Sequence, residues 1–183
     1  RVVHAGCMEQ LSSRVVYRNP WMTVREDEVL LADGRTATYG VVDKPDFALV
    51  VPRQDNGFWV VEQFRYAFGR RAVEFPQGSW GDGASGSPVE LAQAELREET
   101  GLAAGRLTHL GRLGTAYGFC SQRMDVFLAE DLTMGEPDRE HTEQDMTHHW
   151  VSDDELRALV RSGEVCDAGT LAALALVSLS EPK

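Results

Sequence analysis

Glu95, Glu98 and Glu99 stand three and four positions apart, the spacing that brings side chains onto one face of an α-helix. Like charges so placed oppose one another by about 0.2–0.5 kcal/mol per pair. No basic residue shares that face, because Arg97 projects to another side. A divalent cation would relieve the repulsion, and Mg²⁺ or Mn²⁺ prefers hard oxygen ligands of this kind. A solvated acidic helix face would show the same spacing, so the surrounding residues must decide between the two.

Those surroundings mark a helix at both ends. Ser87 suits the N-cap, Pro88 the first helical position, and Glu90 completes a Ser-x-x-Glu capping box. Gly101 supplies the left-handed residue that closes many helices. Val89, Ala92 and Leu96 form an apolar stripe that would dock the helix on a sheet. Upstream, Glu74-Phe75-Pro76-Gln77-Gly78 reads as a short strand entering a turn, followed by the glycine-rich loop 81–86. A strand, a glycine-rich loop and an acid-faced helix favour metal binding over a plain solvated face. The run 62–71 sets Arg65 and Arg70 beside this loop. Guanidinium groups there would grip a pyrophosphate bidentately, or serve as ordinary strand-end charge.

The stretch Glu95-Leu96-Arg97-Glu98-Glu99-Thr100-Gly101-Leu102 resembles the end of the Nudix hydrolase signature. That signature is a Gly, five residues, Glu, seven residues, then Arg-Glu-apolar-x-Glu-Glu-x-Gly-apolar. Three departures stand out: Ala94 occupies the position of the signature Arg, Gly86 that of the first Glu, and the opening Gly fits Gly78 only with two extra loop residues. The resemblance implies an α/β fold, a Nudix-type α/β/α sandwich of mixed β-sheet with flanking helices. It also implies Mg²⁺ (or Mn²⁺) as cofactor, held by Glu95 and Glu99 with Glu98 beside them. The segment from Gln63 to Gly78 is similar to the ADP-ribose pyrophosphatase branch. By that similarity Arg65, and Arg70 with it, would contact phosphates, Glu74 would lie at the substrate or metal site, and the Gln77 carbonyl would be a metal ligand.

Two further residues follow from the same resemblance. The branch often carries a Pro after the signature where this chain has Tyr117; Tyr117 would stack on a base or sugar, or pack with Phe119 into the core. Related enzymes carry a catalytic glutamate on a loop equivalent to 140–146, and Glu143 is the best match, a solvated loop acid being the other reading. Glu98 or Glu143 would position or deprotonate the attacking water. His148 and His149 are adjacent in a strand and point to opposite faces, so the pair, with His141 nearby, does not suggest a chelate.

The remaining elements must carry these groups. Residues 13–17, 22–29 and 36–42 alternate as strands around Asn19-Pro20 and Asp33-Gly34. Region 1–43 is therefore expected as a small antiparallel β region, a candidate dimerisation element, and 44–183 as the Nudix domain. Strands are expected over 47–51, 58–64, 72–75, 107–113, 124–129 and 147–151, and helices after Ser152 and over 167–179.

At 183 residues and 43% apolar content, the chain is long enough for a packed domain with a small appendage. A net charge of -11 argues against nucleic acid or an anionic membrane as partner. Cys7, Cys120 and Cys166 are odd in number and in no metal-ligand spacing, as expected of reduced thiols in a cytoplasmic protein. No apolar run approaches membrane-spanning length. The first residue is Arg1 rather than Met, which suggests that a few residues are absent from the start or foreign to it.

The expected activity is metal-dependent cleavage of the pyrophosphate of ADP-ribose or another nucleotide sugar, giving a nucleoside monophosphate and a sugar phosphate. The resemblance also implies a homodimer whose partner completes the substrate pocket. One alternative is a nucleotide-sugar binding protein that has lost turnover, which Gly86 and Ala94 favour. Others are a nucleoside-triphosphate pyrophosphohydrolase and a structural role for the acidic helix.

Overall fold

The computed structural model describes residues 8–81, 85–139 and 143–180. Cys7, His141 and positions 82–84 of the glycine-rich loop lie outside the described residues. The chain divides into two compact units, one running through Pro45 and taking in Gly114–Arg123, the other formed by Asp46–Leu113 and the chain from Met124.

The first unit is a three-stranded antiparallel sheet of β1 (Glu9–Asn19), β2 (Met22–Leu30) and β3 (Thr36–Asp43). Asn19 makes the first turn by accepting hydrogen bonds at Oδ1 from the amides of Trp21 and Met22, at 2.9 and 2.8 Å, the local competition with the ladder that Asn is suited to. Arg25 on β2 bridges to Asp43 on β3 at 2.6 Å. The segment after Gly114 joins this unit through Val42, whose amide donates to the Phe119 carbonyl at 2.8 Å while its carbonyl accepts from Ser121 at 3.0 Å. A stretch from far along the chain thus pairs with β3.

The second unit is built on a mixed sheet. Its elements are β4 (Phe47–Gln54), β5 (Gly57–Arg65), a 3-10 turn (Tyr66–Phe68), β6 (Arg70–Glu74), β7 (Gln77–Gly78), α1 (Pro88–Thr100), β8 (Ala103–Gly114), β9 (Arg123–Thr133), β10 (Thr147–Ser152), α2 (Asp153–Ser162) and α3 (Ala168–Ser180). The strand order is β10-β5-β4-β9-β8, with β6 on β5 and β7 on β4. β4 and β9 run parallel, and β5 is antiparallel to β4, β6 and β10.

Alternation along β4 builds the core on both sides of the sheet. Leu49 and Val51 pack with Met124, Val126, Ala173 and Val177 on one face; Ala48 and Val50 pack with Leu91, Ala92, Leu96 and Phe127 on the other. A strand buried on both faces reads as a continuous apolar run, as Phe47 to Val51 does. The layers are thus α1, sheet, then α2 with α3, the expected α/β/α sandwich.

Helix α1 has the expected ends, with both bonds of the Ser87–Glu90 capping box formed and Gly101 at φ 74° donating to the Arg97 carbonyl. Its docking stripe differs from the expected one. Leu91, Ala92 and Leu96 are buried, whereas Val89 is exposed, because the face turned to the sheet passes through 91 rather than 89. Burying a side chain of the size of Leu96 stabilises the fold by about 1.5–3 kcal/mol. Among the described residues no helix is long and apolar enough to cross a membrane.

Candidate active site

Two close approaches set where the carboxylates stand. Helix α1 lies so near β7 that a Cβ on Gly78 would collide with the Glu95 carboxylate. Gly78 is therefore glycine for space, not for backbone angle. At the other end of the helix, a Cβ on Gly101 would strike the Gly135 carbonyl, so the chain after β9 crosses directly over the helix C-terminus.

The structure brings Glu74, Glu95 and Glu99 together as buried acids, with 2%, 9% and 1% exposure. Glu99 accepts a hydrogen bond at Oε2 from the Gln77 amide at 3.2 Å, and its Oε1 is buried without a partner. Burial, then the negative charges of Glu143 and Glu95, push the Glu99 carboxyl well above the usual carboxylate range; Glu74 adds to this and the Gln77 amide opposes it. Glu98 is half-buried, and the Arg97 guanidinium comes within 3.8 Å of it. That corrects the expectation that Arg97 keeps clear of the acidic face: its long stem carries the charge back round the helix.

A chain of hydrogen bonds runs from this cluster to an arginine. Gln77 donates from Nε2 to Glu74 Oε2 at 2.7 Å, and Arg65 grips Glu74 with Nε on Oε1 and Nη2 on Oε2, both at 2.8 Å. The fork uses two of the five guanidinium N–H groups. Desolvation pulls the Arg65 pKa down, but Glu74, Glu99 and Asp167 outweigh it and raise it. Arg65, Glu74 and Gln77 also line a cavity of about 380 Å³ with Phe68, Cys166 and Asp167 among its other walls.

Arg70 does not join the carboxylates. It donates to the Gly163 carbonyl at 2.6 Å and lies 2.7 Å from Cys166 Sγ, which draws it toward the α2–α3 connection. Tyr117 belongs to the first unit and is 88% exposed, with Phe119 also exposed, so neither packs a core. Glu143 stands on the connection between β9 and β10, close enough to Glu99 to act on its charge. His148 is bound to Arg139 at 2.7 Å while His149 is exposed, as expected of residues on opposite strand faces.

Arg71, Asp145, Arg139 and Asp167 escaped sequence reading. Arg71 and Asp145 pair at 2.8 Å across the sheet edge, a contact with no local signal. The acidic start of α3 was the one trace of Asp167, whose Oδ2 accepts from the Thr170 amide at 2.7 Å.

Among the described residues no three His, Cys, Asp or Glu side chains form a ready metal cage. The fit of a divalent cation rests instead on Glu99: a buried carboxylate with an unpartnered oxygen among three further acids is stabilised by a counter-ion that takes oxygen ligands.

Comparison with known proteins bears on this arrangement. Residues 8–42 match the family model of the nucleoside diphosphate sugar hydrolase N-terminal domain, and residues 43–173 that of the NUDIX domain. The chain is 34% identical over 171 residues to an ADP-ribose pyrophosphatase of Mycobacterium tuberculosis, covering 92% of this chain and 82% of that one. It is 34% identical over 157 residues to an ADP-ribose pyrophosphatase of Bacillus subtilis, covering 85% and 84%. Its fold is similar to a crystal structure of an ADP compounds hydrolase, with a TM-score of 0.82 at 22% identity over 98% of this chain and 95% of the other.

Proposed function

The chain belongs to the Nudix hydrolases, and from that premise we propose that it splits the diphosphate of ADP-ribose or a related nucleotide sugar into a nucleoside monophosphate and a sugar phosphate. The observation that carries this reading is the hydrogen-bonded run Arg65–Glu74–Gln77–Glu99. It ties a cation suited to phosphate directly to buried carboxylates suited to metal. The names of the two relatives point to the same substrate class.

In this reading Glu95, Glu98, Glu99 and the Gln77 carbonyl hold Mg²⁺ or Mn²⁺. A bound divalent cation supplies charge neutralisation for the diphosphate and a more acidic water. Arg65 takes up charge on the phosphoryl oxygens with the N–H groups that Glu74 leaves over, and Glu74 fixes its plane. Glu143, or Glu98, accepts the proton of the attacking water. One P–O bond forms to that water, the bridging P–O bond breaks, and each product leaves with one phosphate. Arg70, held by Gly163 and by Cys166 of the cavity wall, would reach phosphate only from that side. The exposed apolar side chains of β1, including Leu11, Val15 and Tyr17, support a homodimer through the region to residue 43, with 44–183 as the hydrolase domain and Tyr117 available to stack on a base or sugar.

A second reading has its own observation. A Cβ on Gly86 would come within 2.8 Å of Trp80, so a side chain at the signature Glu position would have to displace that ring. A protein that binds nucleotide sugars without turning them over would tolerate that loss.

One assay separates the readings. The protein is incubated with a nucleotide-sugar panel and nucleoside triphosphates in Mg²⁺, Mn²⁺ or EDTA, and products are resolved by chromatography. Metal-dependent release of a nucleoside monophosphate, lost in Glu99→Gln, supports the hydrolase and names its substrate. Pyrophosphate release from triphosphates alone would replace it with a triphosphate pyrophosphohydrolase. Binding without product from any member would move the assignment to the binding protein.

A further inference from the structure

The connection between β9 and β10 brings Glu143 to the carboxylates, and an arginine ties it down on each side. Before Glu143, Arg139 donates from Nε to the Glu99 carbonyl at 3.0 Å, and the Asp138 amide donates to the Glu98 carbonyl at 3.0 Å. Gln144 donates from Nε2 back to the Arg139 carbonyl at 3.1 Å. After it, Arg71 on β6 reaches Asp145 twice, from Nη1 to Oδ2 at 2.8 Å and from Nη2 to the backbone carbonyl at 3.1 Å. The same guanidinium holds Glu62 on β5, from Nε to Oε1 at 2.6 Å and from Nη2 to the carbonyl at 3.0 Å.

We propose that Arg71 is a positioning residue which, by gripping both the side chain and the backbone of Asp145, fixes the loop so that Glu143 faces Glu99. This rests on the reading that Glu143 takes part in the reaction. The side chains of Arg71 and Asp145 are 40% and 54% exposed, and ion pairs so exposed contribute little to stability. What a planar guanidinium supplies at such a place is geometry: its fork meets carboxylate and carbonyl in fixed directions. A general base displaced by about 1 Å can lose on the order of 100-fold in rate. Arg71 therefore matters to turnover far more than to folding.

The test is steady-state kinetics on the panel substrate turned over fastest, with the melting temperature measured alongside. The proteins are wild type, Arg71→Ala, Arg71→Lys, Asp145→Ala, Glu143→Gln and the Arg71→Ala/Glu143→Gln double variant. Arg71→Ala is expected to lower kcat by roughly 10- to 100-fold with KM within about threefold, and Lys to recover part of the loss. In the Glu143→Gln background the same change should cost nothing further, because the group it positions is gone. Asp145→Ala should show a smaller loss of the same kind, since Arg71 keeps the backbone carbonyl, and it decides the matter if Arg71→Ala does not fold. An unchanged kcat in Arg71→Ala beside a slow Glu143→Gln overturns the proposal, as does an equal loss in both backgrounds. A Glu143→Gln protein as fast as wild type instead removes the reading of Glu143, and the positioning role falls with it.

Discussion

The Gln77 amide donates to Glu99 Oε2 at 3.2 Å, while Glu99 Oε1 is buried without a hydrogen-bond partner. One carboxylate is thus held by the backbone of the β6–β7 turn and left half satisfied among other acids. An arrangement that costs stability without a counter-ion is characteristic of a site maintained for function.

Glu99→Gln should therefore separate stability from activity. The amide keeps an acceptor for the Gln77 N–H and removes a buried charge that Glu143, Glu95 and Glu74 oppose. In EDTA the variant is expected to melt higher than wild type, by a margin that grows as pH rises above the usual carboxylate range, at about 2–4 °C for each kcal/mol relieved in a chain of this size. In Mg²⁺ it should lose on the order of 100-fold or more in kcat. Melting curves in EDTA decide the first half: a lower melting point for the variant would mean that the carboxylate is compensated by something other than metal.

Gly78→Ala tests how closely the helix must approach the turn. The new methyl would meet both oxygens and the carboxyl carbon of Glu95. Because Glu95 is the end of a flexible side chain, the fold can yield by turning it away, at a cost of about 1–3 kcal/mol. Binding of Mn²⁺, followed by its magnetic resonance signal, should weaken by roughly 10-fold or more. Unchanged Mn²⁺ affinity would show that Glu95 is not a ligand.

Sequence reading succeeded where signals were local. Both ends of α1 were legible because a capping box and a left-handed glycine act within one turn. The start of α2 was legible in the same way, at Ser152, where a second capping box forms. That Glu95 and Glu99 share a face was legible because helical spacing is periodic. What failed depends on distance along the chain. Arg71 meets Asp145 from 74 residues away, and Val42 meets Phe119 through backbone groups that carry no sequence signal. Arg65 and Arg70 looked alike as neighbours of one loop, yet Glu74 holds one and Gly163 the other. Val89 was misplaced for a subtler reason: it stands three and seven residues from Ala92 and Leu96, at helical spacing, yet the sheet buries the side of the helix that carries Leu91 and leaves Val89 at its exposed edge.

The first unit carries a prediction about assembly. β1 is exposed along its length from Glu9 to Arg18 and presents Leu11, Val15, Val16 and Tyr17, more apolar surface than an edge strand ordinarily leaves uncovered. Val15→Asp should shift the protein from twice the chain mass to the chain mass in light scattering. If the partner completes the substrate pocket, kcat/KM should fall together with the dimer fraction on dilution. A wild type of single-chain mass at micromolar concentration would sink the dimer.

Gly101→Ala joins a local backbone requirement to the site. Gly101 sits at φ 74°, where an L-residue costs about 1 kcal/mol relative to glycine. Its Cβ would also strike the Gly135 carbonyl, so the segment leading to Asp138 and Arg139 must move. Those residues bond the carbonyls of Glu98 and Glu99, and Glu143 follows them. The substitution should therefore lower the melting point by roughly 4–8 °C, for about 2 kcal/mol in all. It should also reduce kcat by about 10-fold at temperatures where the protein is fully folded. Hydrogen exchange on residues 135–146 provides the check, because faster exchange there with α1 still protected is the pattern expected of a displaced loop. Loss of protection throughout α1 would instead mean that Gly101 serves the helix alone, with no separate hold on the loop that carries Glu143.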